Sequence, residues 1–404
     1  YANAITFIVS AASNGDALSK NVEVRVNGVR RERFFSVSAD PASLRFIETI
    51  MNATDGTGSD LVEVTDLGVA LPAASATSSV MTGGADGLGS LVDADFLGAE
   101  LVASATGIEV FDRYDDGPCL VVPGRGTSAV HNGMVSWSIA KKASEVFCFL
   151  DPPQSLNADD MKAYVITTAA LFNLTNIASV YWPEVKVLNP DSSVYGTADT
   201  ITVPPSGIVA GIAARIEGSR IGGAFDQPAG PDGRYLPKGI LGFATPSGEP
   251  PTKAECEILF PVNVNPIKRE TGTPTFVDGA RVLDVTGNWP SVGQSRGVQY
   301  VKRKGRVGLA PLRHRNITTD LFKQGFRTLT TFLTDLTRAG AFASTEPKKA
   351  FFVDFGPALN PPSTQAAGEV NADVGLAAAR PAEFIKVRIG PDTRALDEEA
   401  AAQA

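Results

Sequence analysis

The sequence predicts a multidomain α/β protein. It consists of a β-rich first domain, an α/β domain built on a parallel sheet, and an α+β C-terminal domain. Three observations carry this. The first hundred or so residues alternate with period two around an Asn-Gly pair. From about residue 106, the short apolar runs CLVV, EVFCFL and ASVYW are separated by stretches of helical length. Strands apolar on both sides belong in a parallel sheet covered on both faces. In the last third, a basic run leads into an amphipathic helix and two further β runs. The expected boundaries are 1–105, 106–284 and 285–390, with a tail over 391–404.

A chain of 404 residues is long enough for two or three cores. Apolar residues at 43% and charged residues at 20% are ordinary for a soluble globular protein. With 36 basic and 44 acidic residues the formal charge is −8, which gives no reason to expect nucleic acid or an anionic membrane as a direct partner. No apolar run approaches a bilayer-spanning length. The chain opens on Tyr1 rather than Met, which implies residues upstream in the full-length product. Cys119, Cys148 and Cys256 are few and widely spaced. Reduced, buried thiols are expected, with a cross-link between neighbouring subunits as the alternative. His131 and His314 fall in no metal-ligand spacing, so no metal site is expected.

Taken in order, Val22 to Val37 reads as a hairpin turning at Asn27-Gly28, a pair suited to the positive φ angles of a type I′ turn. DPASLRFIETIMN reads as a helix capped by Asp40, with Pro41 at its first position and Leu44, Ile47, Ile50 and Met51 on one face. DLVEV reads as a strand. The segment from Leu67 to Gly89 reads as a loop, because TGGADGLG lacks the lysine and the strand-then-helix setting of a phosphate loop. GIEVF, CLVV, EVFCFL and ASVYW are the next strands, several ended by proline, and helices are expected over 128–143 and over 158–172 with Asn157 as cap.

VPPSGIVAGIAARIEGSR places Ser206 at the head of a small-residue helix. The nucleophile elbow of α/β-hydrolases needs glycine two residues either side of its serine, and here those positions hold Pro204 and Ile208. IVAGIAARI resembles the helix that follows the catalytic serine of subtilisin-like proteases. Matching its V-A-G on Val209-Ala210-Gly211 puts the nucleophile position at Val203, which cannot attack. Ser206 therefore reads as a helix N-cap, and Ala210, Gly211, Ala213 and Ala214 as small residues that let the helix lie close to the sheet. Asp115-Asp116 and Asp159-Asp160 are adjacent pairs, which do not face one site, and read as turn or helix-start acids.

From Val285 to Thr319 there is no acidic residue, while Arg296, Lys302, Arg303, Lys304, Arg306, Arg313 and Arg315 all lie there. A helix follows, with Thr319 as cap, Gly340 as stop, and Leu321, Phe322, Phe326, Leu329, Leu333 and Leu336 as its apolar face. KAFFVDF and EFIKVRI are the last β runs. The second alternates Ile385, Val387 and Ile389 against Lys386 and Arg388, a pattern able to pair with another molecule.

TGGADG, VPG, DPP, YWPEVKVLNP, VPPSGIVAGIAARIEGSR, QPAG, VNVNPIKRETGTPTFVDGAR and GEVNADVGLAAARPAEFIKVRIG occur in the order found in contractile tail sheath proteins. The chain resembles that family, from phages, phage-tail-like bacteriocins and related injection systems, over about residues 20–390. The resemblance implies that the β-rich domain is outermost, that the middle domain is subtilisin-like without a catalytic triad, that the C-terminal domain approaches an inner tube, and that there is no cofactor or catalysis. It also implies self-assembly as stacked hexameric rings around an inner tail tube, with baseplate and tail terminator proteins as further partners. The location implied is a virion tail assembled in the host bacterial cytoplasm. The seven basic residues from Arg296 to Arg315 are then candidates for tube contact. The alternative is a solvated face, or cations paired with this chain's own acids. Phe384, Ile385, Lys386, Val387, Arg388 and Ile389 are candidates for a strand shared between subunits. Two rival readings are a sheath of a non-viral injection system and a degenerate hydrolase.

Overall fold

Asn27 and Gly28 adopt φ of 49° and 80°, and the antiparallel strands on either side of them form the expected hairpin. The computed structural model describes residues 5–81, 88–100, 104–191, 198–233 and 235–383. These fall into two units: Tyr1–Gly107 with Val185–Val203 and Gly239–Ala244, and Ile108–Glu184 with Pro204–Lys238 and Thr245–Ala404.

In the first unit β1 (Ile5–Ala11), β2 (Ser19–Val26), β3 (Val29–Ser38) and β4 (Ser79–Val80) form one antiparallel sheet in the order β3-β2-β1-β4. Period-two alternation puts Val22, Val24, Val26, Phe34 and Ile5 on one face, where they bury against Ile47 and Met51. A second antiparallel sheet orders Ile240–Phe243, Val185–Leu188 and Thr200–Val203.

Three local expectations are corrected here. The helix expected from Pro41 is only α1 (Ile47–Met51). Residues before it are held along the edge of β3, where Ser38 N–H donates to Arg45 O (2.8 Å) and the Arg45 guanidinium donates to the carbonyls of Phe35 and Ser36. Leu44 is left 96% exposed. DLVEV is not a strand, because side chains rather than a neighbouring strand satisfy its backbone. Asn52 bonds both the N–H and the C=O of Val64, and Glu32 accepts from Asp60 N–H. GIEVF is a 3-10 helix, Gly107–Arg113, with Ile108 its one buried residue and hence no strand face to bury.

In the second unit β5 (Cys119–Leu120), β6 (Phe147–Leu150), β7 (Ala178–Trp182), β8 (Val264–Lys268) and β9 (Phe276–Val277) form a sheet ordered β9-β8-β7-β6-β5, parallel except at β9. Its pleat sorts side chains onto two covered faces. Phe147, Phe149, Ser179 and Tyr181 share one; Cys148, Leu150, Val180 and Trp182 share the other, where the Cys148 thiol meets Met134 O of α2 (Ser128–Lys142) at 3.6 Å. Helix α2 has the expected bounds, with Thr127 capping it and Ala143 left-handed at φ 49°. Helix α3 (Ala158–Ala163) is capped by Asn157 as expected but gives way to a wider turn at Tyr164–Thr168 and ends before Ala170, which is left-handed at φ 50°. Cys148 and Cys256 are buried and Cys119 is partly buried, all three as free thiols.

The small-residue helix, α4 (Pro205–Ser219), buries Val209, Ile212, Ala213 and Ile216, whereas Gly211 and Ala214 face away from the sheet. The close approach expected at Gly211 occurs instead beyond α5 (Lys253–Leu259), on α6 (Val292–Leu309). There a Cβ at Gly293 would meet Phe225 O at 2.4 Å, and one at Gly297 would meet the Phe225 ring at 2.3 Å.

Candidate assembly surface

The basic run begins on a helix: Ser291 caps α6 by accepting from Gln294 N–H. Helical spacing sorts its cations. Arg296, Gln299 and Arg303 lie at i, i+3 and i+7, one inward face, with Arg306 at its margin. Arg296 Nη2 meets Glu217 Oε2 of α4 at 2.5 Å, and Arg303 donates to Glu145 O at 2.5 Å. Arg306 pairs with Glu145 at 3.0 Å and approaches Asp115 at 3.8 Å. Burial pushes the Arg303 guanidinium below its ordinary range, against the pull of Glu217. Arg296 and Arg303 are 3% and 5% exposed, so as tube contacts they are corrected: their charge serves the interior of this chain.

Lys302, Lys304, Arg313 and Arg315 are the exposed members of the set. Arg315 donates to Gln324 of α7 (Thr319–Arg338), a helix capped by Thr318, one residue earlier than expected. Leu321, Leu329, Leu333 and Leu336 form the buried face of α7. Phe322 is half-buried, but Phe326 is 44% exposed in a groove of about 780 Å³ that also takes in Val353, Phe355, Lys323 and Arg327. Beside it β10 (Phe351–Asp354) and β11 (Asp373–Leu376) pair antiparallel, and among the described residues neither has a second strand neighbour. The candidate shared strand, Phe384 to Ile389, lies outside the described residues. The described chain leading to it ends at Glu383, which holds Arg281 at 2.6 Å.

Ser206 is not the cap of α4: that position is Pro204, which offers no side-chain bond. Ser206 is fully buried, and both its N–H and its hydroxyl donate to Asp151 at 2.8 Å. Asp151 ends β6 and takes a further N–H from Gly124 at 3.3 Å. Burial raises the Asp151 carboxyl to about 6 in spite of these donors, and Glu184 pushes the same way. A carboxylate thus caps the helix from another element. Sequence reasoning passed over Asp151, Glu145 and Glu217. The signals were an acid closing an apolar strand in FLDPP and an arginine run with no acid of its own, which calls for acids such as Glu145 and Glu217 from elsewhere in the chain.

Two antiparallel sheets, a largely parallel sheet covered on both faces, a helix pair and a two-stranded C-terminal sheet make this a mixed α/β chain. The chain has the fold of contractile tail sheath proteins. It is similar to the sheath of PVC, an extracellular contractile injection system, in the contracted state, at 23% identity over 71% of this chain and 74% of that one, TM-score 0.55. It is likewise similar to the helical sheath of the anti-feeding prophage in the contracted state, at 20% identity over 70% and 72%, TM-score 0.56. A sheath tail protein of Desulfitobacterium hafniense matches over 88% of this chain and 70% of its own at 11% identity, TM-score 0.50. Comparisons with protein-family models and with curated proteins find no match.

Proposed function

We propose that this chain is the polymerising subunit of a contractile tail sheath, stacking as hexameric rings around an inner tube and shortening to drive the tube through a target envelope. The observation that carries this is the shared fold with sheaths solved in the contracted state, over about 70% of the chain. On this reading the first unit is the outer part, the parallel-sheet region is a subtilisin-like scaffold without chemistry, and α6 and α7 approach the tube. The partners are further copies, the tube protein, the baseplate and a terminator, and the location is the tail.

The exposed cations Lys302, Lys304, Arg313 and Arg315 supply the tube-facing charge, which calls for an acidic path on the tube. Strand addition fits the two open edges of the β10–β11 sheet. Contraction then exchanges one packing of the subunit for another of lower free energy. Electron microscopy of the purified full-length chain, alone and with its tube protein, tests this. Rings or tubes are expected, and a chain that stays dispersed beside its own tube overturns it.

A further inference from the structure

The groove at Phe326 runs past Ile317 and Phe355, which line both, into a second opening of about 480 Å³. Lys323 and Arg327 line the first, one helical turn apart on α7, and Arg313 and Arg315 line the second. All four are exposed, and among the described residues none of them forms an ion pair; Arg315 spends one N–H on the neutral Gln324. Arg306, also in the wall, is already paired with Glu145. Asp354 is the one carboxylate lining either opening, and its Oδ1 takes Gly356 N–H at 2.6 Å. The surplus is regional. From 285 to 383 there are 13 basic and 7 acidic residues, in a chain whose formal charge is −8.

The same chain holds a segment of opposite character. Residues 391–404, outside the described residues, read PDTRALDEEAAAQA, with Asp392, Asp397, Glu398 and Glu399 against the single Arg394 and with Leu396 among them. An acidic run of this kind is a common interaction tail. Contour length decides whether it can reach. At about 3.5 Å per residue, the chain from Ala372, in the groove wall, to Glu383 spans less than about 40 Å. The chain from Glu383 on to Asp397 extends up to about 50 Å, so the tether is long enough to return its acids to the groove.

We propose that the acidic tail of this chain docks in its own basic groove while the subunit is free, with Asp397, Glu398 and Glu399 toward the unpaired cations and Leu396 on the Phe326 floor. Exposed ion pairs are weak one by one, but a tether of this length holds the tail at a millimolar effective concentration, so a few of them suffice. Docking itself needs no partner. On the sheath reading it covers Arg313 and Arg315, two of the four tube-facing cations, so a subunit off the tube is shielded and an acidic tube displaces the tail.

The test is brief trypsin treatment of the native full-length chain, with mass spectrometry timing the release of the peptide that begins at Ala395, after the cut at Arg394. No tube is present, so the result stands apart from that of the sheath reading. Release is expected to be about five- to tenfold slower at about 0.02 M salt than at about 0.5 M, where exposed charges are screened. Lys323→Glu with Arg327→Glu should release fast at both. A rate indifferent to salt and to this reversal overturns the proposal. So does protection that grows with protein concentration, which puts a neighbour's tail in the groove. If the reversed variant does not melt cooperatively, Asp397→Asn with Glu398→Gln and Glu399→Gln takes its place. That variant alters no described residue; it should lose the salt response, and a response that persists overturns the proposal.

Discussion

The carboxylate of Asp151, at the end of one parallel strand, accepts both the backbone N–H and the hydroxyl of Ser206, in the first turn of a helix, at 2.8 Å each. This pair fixes α4 to the sheet and takes up the first unpaired donors of the helix. Asp151→Ala leaves those donors and Gly124 N–H without an acceptor and is expected to destabilise the chain by about 2–4 kcal/mol.

Its pH dependence has a definite sign. Burial raises the folded-state carboxyl from 3.8 to about 6, so the folded chain takes up this proton more readily than the unfolded one. The stabilisation is complete below pH 3.8 and is lost as pH rises to about 6. Asp151→Asn keeps an acceptor and cannot ionise. Relative to the unaltered chain it should gain about 2–3 kcal/mol between pH 4 and pH 7, at 1.4 kcal/mol per unit. Urea titrations at both pH values measure this, and a difference that stays constant contradicts it.

Ser206 should be chemically silent. It is fully buried and its hydroxyl donates to a carboxylate, whereas a nucleophile needs a substrate path and an oxyanion hole. Treatment with a fluorophosphonate, followed by peptide mass spectrometry, should find no adduct on residues 204–215. An adduct there would restore the hydrolase reading.

The reading from sequence succeeded where local rules act alone. Asn27-Gly28 dictates its turn, Asn157 caps the helix expected of it, and the helix expected from Ser128 starts there. It failed where a distant group overrode the local pattern. Arg45 ties its own segment to the carbonyls of Phe35 and Ser36 on β3, and Asn52 bonds the backbone of Val64, so neither segment takes the regular structure expected of it. Asp151 relieves Ser206 of capping from 55 positions away. The basic run was legible as charge but not as faces, because its inward arginines are set by Glu217 and Glu145, which lie far away in sequence.

Helix contacts give a prediction in two directions. Gly297→Ala puts a methyl into the Phe225 ring and should cost about 1–3 kcal/mol. Gly211→Ala meets nothing within 4 Å and should stabilise by about 0.5–1 kcal/mol. Paired melts of the two variants check the sign. A Gly211→Ala chain that is more stable yet assembles poorly would mark that exposed face as a subunit contact.

The cations of α6 separate folding from assembly. Lys302→Glu with Lys304→Glu changes exposed groups whose loss costs the fold within about 0.5 kcal/mol, so the melting curve should hold while co-assembly with the tube weakens. Arg303→Glu places a carboxylate against Glu217 and Glu145 in a buried setting. Breaking such a pair costs about 3–5 kcal/mol, so this variant should lose its fold before assembly can be asked of it. Both effects are read from one pair of experiments, a thermal melt and a pelleting assay with tubes. Unchanged pelleting of the double lysine variant removes α6 from the tube interface. Because the fold is then intact, that result leaves the sheath assignment standing and moves the contact to Arg313, Arg315 or the groove at Phe326, whose own reversals follow in the same assay.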